Sequence, residues 1–192
     1  MEQHFVHALD LQIAVIGGDL DAAHAAADRL GAVSVESGMP PSWRPFLADV
    51  RAAAADAVHA TTVAEEAMAT SRIGLACGEC HVATGGGPKE PVPEAPSGPH
   101  MALHLYGAYW MGFGLLAPSD VAWTRGAGVL AEAALRPEGW TPPAGMADVD
   151  ARVHELARRA TELTDASHRA ERAEVWGELL GTCSQCHVAL PR

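Results

Sequence analysis

The sequence predicts an all-α chain folded as two tandem four-helix bundles, on three observations. Apolar residues recur at helical spacing, and no segment sustains the apolar–polar alternation of a strand. Residues 84–100, TGGGPKEPVPEAPSGPH, hold five of the thirteen prolines and four glycines, the composition of an extended, semi-rigid linker. The segments on either side, 1–83 and 101–192, align with each other, and both finish on the pattern C-x-x-C-H.

Each half reads as four helices. The first are expected over 2–16 and 101–116 and are broken by Gly17-Gly18 and Pro118-Ser119. The second run over 19–31 and 120–136, where Asp19 and Ser119 are suited to accept hydrogen bonds from the first free amides. Proline-bearing loops follow, Met39 to Trp43 and Pro137 to Gly145, and the third helices occupy 46–59 and 147–164. The fourth run over 62–81 and 167–187, with Thr62 and Glu65 at the spacing of a capping box. Short loops between four short helices imply an up-down-up-down order.

Internal matches make the case for duplication. At an offset of 106, Ala54, Ala60, Ala64, Glu65 and Ala67 correspond to Ala160, Ala166, Ala170, Glu171 and Ala173. That register runs without a gap into Cys77/Cys183, Cys80/Cys186, His81/His187, Val82/Val188 and Ala83/Ala189. Nearer the start the offset is 100, pairing Met1, His4, Ala8, Ala27 and Leu30 with Met101, His104, Ala108, Ala127 and Leu130. The difference falls in the middle loop, which is longer in the second half. The small residues Ala60, Ala64 and Ala67 form a low stripe that suits close helix packing and leaves room for a flat group beside the helix.

Composition narrows the function. Of 192 residues, 48% are hydrophobic, which provides for a core, but aromatics are only 5%. Such a core either packs helices tightly or encloses something other than protein. The net charge of -11, without a basic run, repels phosphate backbones and excludes nucleic acid as the expected partner. A protein partner that docks by charge should present a basic face. No apolar run reaches the roughly 18 residues that a membrane span requires.

The four cysteines lie in two pairs, Cys77/Cys80 and Cys183/Cys186, each followed at once by a histidine, His81 and His187. This spacing is the attachment signature of c-type haem. On a helix the three side chains share one face, so two thiols can bond the vinyl groups at one edge of the ring while the imidazole reaches the iron. A redox dithiol would open a helix after a strand, and none is in view. A zinc shared between the pairs would not need a histidine after each. Two covalent haems are therefore expected. Thioether attachment takes place outside the cytoplasm, so export to a bacterial periplasm is expected. Met1-Glu2-Gln3-His4 carries no targeting signal, which reads as a removed segment or an added methionine, with a lipid or membrane anchor further upstream left open.

With C-x-x-C-H near the end of its last helix, each half resembles a class II c-type cytochrome, the cytochrome c′ group. The resemblance spans nearly the whole chain outside the linker and implies a four-helix bundle holding one haem c. This chain departs from the group in being duplicated and in having shorter halves. Its distal positions also differ: the group usually leaves the iron five-coordinate, and its electron-transferring relatives place a methionine on the first helix.

The distal ligand decides the function. In an up-down-up-down bundle the start of the first helix lies beside the end of the fourth, and His4 and His104 are the only histidines outside the pentapeptides that recur there. They are the expected sixth ligands, with Met1 and Met101 as the matched alternatives and an open iron as the third case. His7 has Gly107 as its counterpart and His100 has none. His24, His59, His154 and His168 read as exposed helix residues. The pairs His4/His7 and His100/His104 have a helical spacing that zinc also accepts. Trp43 and Trp140 sit in equivalent loops, where they can wall a haem edge or simply fill the core.

These features predict a periplasmic dihaem carrier of single electrons, not an enzyme, working with redox proteins. The alternative is an NO- or CO-binding protein with an open distal site. A dihaem peroxidase would need acid–base groups around an open iron, and no third acidic or basic residue repeats beside His4 and His104.

Overall fold

The computed structural model describes residues 2–32, 40–132 and 145–189. The loop containing Trp140, the expected end of the sixth helix at 133–136, and Met1 lie outside them. Among the described residues the fold is helical throughout, with no strand. The first half contributes α1 (Glu2–Gly17), α2 (Leu20–Gly31), α3 (Arg44–Val58) and α4 (Val63–Thr84). The second contributes α5 (His100–Leu116), α6 (Asp120–Glu132), α7 (Met146–Thr161) and α8 (Arg169–Ala189). Single 3-10 turns precede α3, at Pro41–Trp43, and α8, at Ala166–His168.

The caps form where the sequence places them. Asp19 accepts from the Ala22 amide at 3.0 Å and Ser119 from the Ala122 amide at 3.3 Å. Thr62 and Glu65 close a reciprocal capping box at the head of α4, each bond satisfying an amide that has no partner within the helix. α4 runs three residues past His81 and ends on Gly85 in the left-handed conformation, where a missing Cβ removes the steric penalty. α8 begins at Arg169 because Asp165 caps the preceding 3-10 turn, accepting from the Ser167 amide at 2.8 Å.

Successive helices pack against each other within each half: α1 on α2, α2 on α3, α3 on α4, and likewise α5 through α8. The two halves are also packed together. α4 lies against α8, α1 against α8 and α4 against α5. A single apolar core runs through both, from Leu11, Val15 and Leu30 to Leu156, Trp176, Leu179 and Leu180. α4 is accordingly buried on more than one side, through Ala67, Ala69, Ile73, Gly74 and Gly78. The small-residue stripe is used unevenly: Ala60 and Ala67 are buried, whereas Ala64 is exposed. α4 and α8 meet at Ser71 and Gly177, which correspond at the offset of 106; a Cβ on Gly177 would stand 2.9 Å from Ser71 Oγ.

The proline-rich stretch is anchored to the second half. Tyr106 Oη donates to the Pro93 carbonyl at 2.6 Å, Arg125 Nη1 reaches the same oxygen at 3.4 Å, and Val92 packs on the cluster of Tyr106, Trp110 and Phe113. Among the described residues no helix is long and apolar enough to cross a membrane.

Candidate cofactor and metal sites

The first C-x-x-C-H lies near the end of α4. It lines a cavity of about 420 Å³, within the range of cofactor sites. Cys77, Cys80, His81 and, from the first turn of α1, His4 all line it, and Trp43, Phe46, Leu47 and Val50 supply apolar wall. The structure therefore brings together the four first-half residues singled out in the sequence, and it places Trp43 beside them.

His81 is oriented by the backbone of the other half. Its Nδ1 lies 2.8 Å from the Leu116 carbonyl oxygen. A carbonyl only accepts, so Nδ1 carries the proton and Nε2 keeps its lone pair. Such a bond on the far nitrogen is the usual support of a metal-ligating histidine. Gly87, at φ +100°, passes so close that a Cβ there would lie 2.8 Å from the imidazole ring.

The thiols do not sit in the setting of a redox dithiol. All four cysteines are free. Burial, and then the neighbouring thiol, pushes Cys77 and Cys183 up to about 12. Burial also raises Cys80, and burial and then Asp150 raise Cys186. Reactive dithiols depend on a lowered thiol pKa.

The second motif faces a different neighbourhood. His104, at the position matching His4, packs against His100 and His154 with ring centroids 4.1 and 5.2 Å away. Burial, then the rings of His100, His154 and His187, push His104 down to about 3, which keeps it neutral. His100, His104, Asp150 and His154 each bring one donor atom within 4.8 Å of the others, an arrangement that could hold a metal ion.

This cluster corrects the sequence reading of His154. It is 1% exposed, with Nδ1 paired to the Leu130 carbonyl. An Asp150/His154 pair looks like the wet face of an amphipathic helix until α7 is known to turn that face toward α5. His24 and His168 are half-buried and His59 is exposed. His7 receives a hydrogen bond from Arg29 Nε at 3.4 Å and takes no part in the cavity. Trp110, Trp123 and Trp176 fill core positions.

The sequence reading also missed a buried pair of opposites at equivalent positions. Glu66 on α4 is fully buried, both carboxylate oxygens lack a hydrogen-bond partner, and burial pushes its pKa up to about 7. Its counterpart at the offset of 106 is Arg172, 1% exposed. Arg172 bonds Asp120 Oδ1 at 2.7 Å and the Leu163 carbonyl at 3.0 Å, and lies over the Trp123 ring.

No family model, curated protein or solved structure matches the chain.

Proposed function

We propose that this chain is a periplasmic dihaem c-type cytochrome, similar to the cytochrome c′ group in its halves, that passes single electrons between redox proteins. Cys77 and Cys80 would bond one haem and Cys183 and Cys186 the other. His81 and His187 would be the proximal ligands, and His4 and His104 the distal ones.

The observation that carries this reading is the shared cavity of His4, Cys77, Cys80 and His81. Two thiols, a proximal histidine and a second histidine lining one apolar chamber are a donor set that suits covalent haem with two imidazole ligands. Haem held there supplies a one-electron Fe(III)/Fe(II) couple. The Leu116 carbonyl, by taking the His81 Nδ1 proton in a hydrogen bond, fixes the ring and makes Nε2 a stronger donor. Trp43, Phe46, Leu47 and Val50 would shield one face of a haem bound there, and such shielding together with axial ligand type tunes the potential. Two imidazoles give a lower potential than histidine with methionine. The net charge of -11 favours a partner with a basic face.

Pyridine haemochrome analysis of chain matured in a bacterial periplasm tests the cofactor, with two equivalents per chain expected. Spectra with and without CO test the role. Unchanged low-spin bands support the carrier, and a CO adduct in the reduced protein turns the reading toward gas binding. A colourless product overturns it.

A further inference from the structure

α5 and α7 each present two donors four residues apart, His100 with His104 and Asp150 with His154. That spacing stacks both members of a pair on one helix face, and here the two faces meet. His100 Nε2 stands 3.3 Å from Asp150 Oδ1, and His154 Nε2 stands 3.8 Å from the same oxygen. Zinc–ligand bonds of about 2.0–2.1 Å in a tetrahedron set donors roughly 3.3–3.4 Å apart. Both distances are thus already near the spacing of a coordination shell, and one donor atom from each residue lies within 4.8 Å of the others.

The protonation pattern points the same way. The Leu130 carbonyl holds the proton on His154 Nδ1, so Nε2 offers a lone pair; it is buried and has no hydrogen-bond partner. An unmet buried acceptor is destabilising. A hydrogen bond between His100 Nε2 and Asp150 Oδ1 accounts for those two residues and still leaves His154 Nε2 unsatisfied. Packing alone does not call for the set either, since Asp150 and His154 correspond to Arg44 and Ala48 in the first half at the offset of 106.

We propose that His100, Asp150 and His154 bind a borderline divalent cation of the Zn2+ class beside the second cysteine pair. The ion takes His100 Nε2, with that ring's proton on Nδ1, together with Asp150 Oδ1 and His154 Nε2, leaving a further coordination position open. His104 Nε2, also buried and unpartnered, is left to the second haem iron; that clause alone rests on the function proposed above.

The test is calorimetric titration of the chelator-treated, haem-loaded full chain with Zn2+, with haem per chain and the visible spectrum measured on the same sample. One saturable equivalent is expected, with the low-spin bands unmoved. Affinity should fall about 100-fold in Asp150→Asn and in His154→Gln, and stay unchanged in the exposed control His59→Gln. Asp150→Asn keeps the size of the side chain, and an unaltered haem count certifies its fold. Absence of a saturable equivalent overturns the site, as does binding that survives both substitutions. Conversion of one haem to high spin on adding Zn2+ overturns the three-residue assignment, because His104 has then left the iron. A colourless chain defeats the functional reading, while the zinc stoichiometry of that same chain still decides the site.

Discussion

The two pentapeptides share their cysteines and histidine, yet their surroundings differ. Cys77, Cys80 and His81 line an apolar chamber that His4 also lines. Beside Cys183–His187, the matching His104 is enclosed by two further histidines and a carboxylate. The contrast extends to the helices that carry the motifs, where one position is a buried Glu66 without a hydrogen bond in the first half and a buried, hydrogen-bonded Arg172 in the second. What recurs in both halves is the thiols and the paired histidines. What does not recur marks where the two ends have been given different chemical surroundings.

The largest expected effect tests the equivalence of the motifs. Replacing Cys77 and Cys80 by serine should remove one of two haem equivalents, and the same change at Cys183 and Cys186 the other. A pair whose loss leaves the haemochrome count unchanged is not an attachment site. Next, His4→Ala should turn one haem high-spin while both stay covalently bound, seen as a partial loss of low-spin bands. If all haem remains low-spin, the distal assignment at the first site fails.

The contrast between the buried charges separates in stability. Arg172→Ala removes two hydrogen bonds and the contact with Trp123. It should cost about 2–4 kcal/mol in denaturant unfolding. Glu66→Gln should act in the opposite sense. The folded-state pKa of Glu66 lies above its ordinary 4.5, at about 7. In that window the folded chain holds a proton the unfolded chain has released, so stability falls as pH rises. The glutamine variant should show little difference at pH 4 and be more stable by on the order of 2 kcal/mol at pH 8. Equal curves at both values would mean the carboxylate is hydrated or paired with His24, whose Nε2 lies 3.9 Å away. The smallest effect is at Glu178, which bridges the exposed Arg152 and Arg159. Glu178→Gln should cost less than about 1 kcal/mol, and less still at high salt.

Helices and caps were legible in the sequence because their signals are local. Asp19, Thr62 and Glu65 act on amides within three residues, and the C-x-x-C-H spacing needs only one helix face. His4 was legible through its repeat. The burial of Glu66 and His154 was not, since each depends on which helix lies opposite. The packing of α4 on α8 was equally hidden. It joins stretches a hundred residues apart through small side chains such as Ser71 and Gly177, which carry little pattern of their own.

The contact between α4 and α8 has a mechanical consequence. The motif-bearing helices hold each other directly, so the spacing between the two ends is set by side-chain interlocking and not by the tether of residues 85–99. A protease nick within that tether should leave both fragments associated, still sharing one hydrophobic interior and migrating as a single particle.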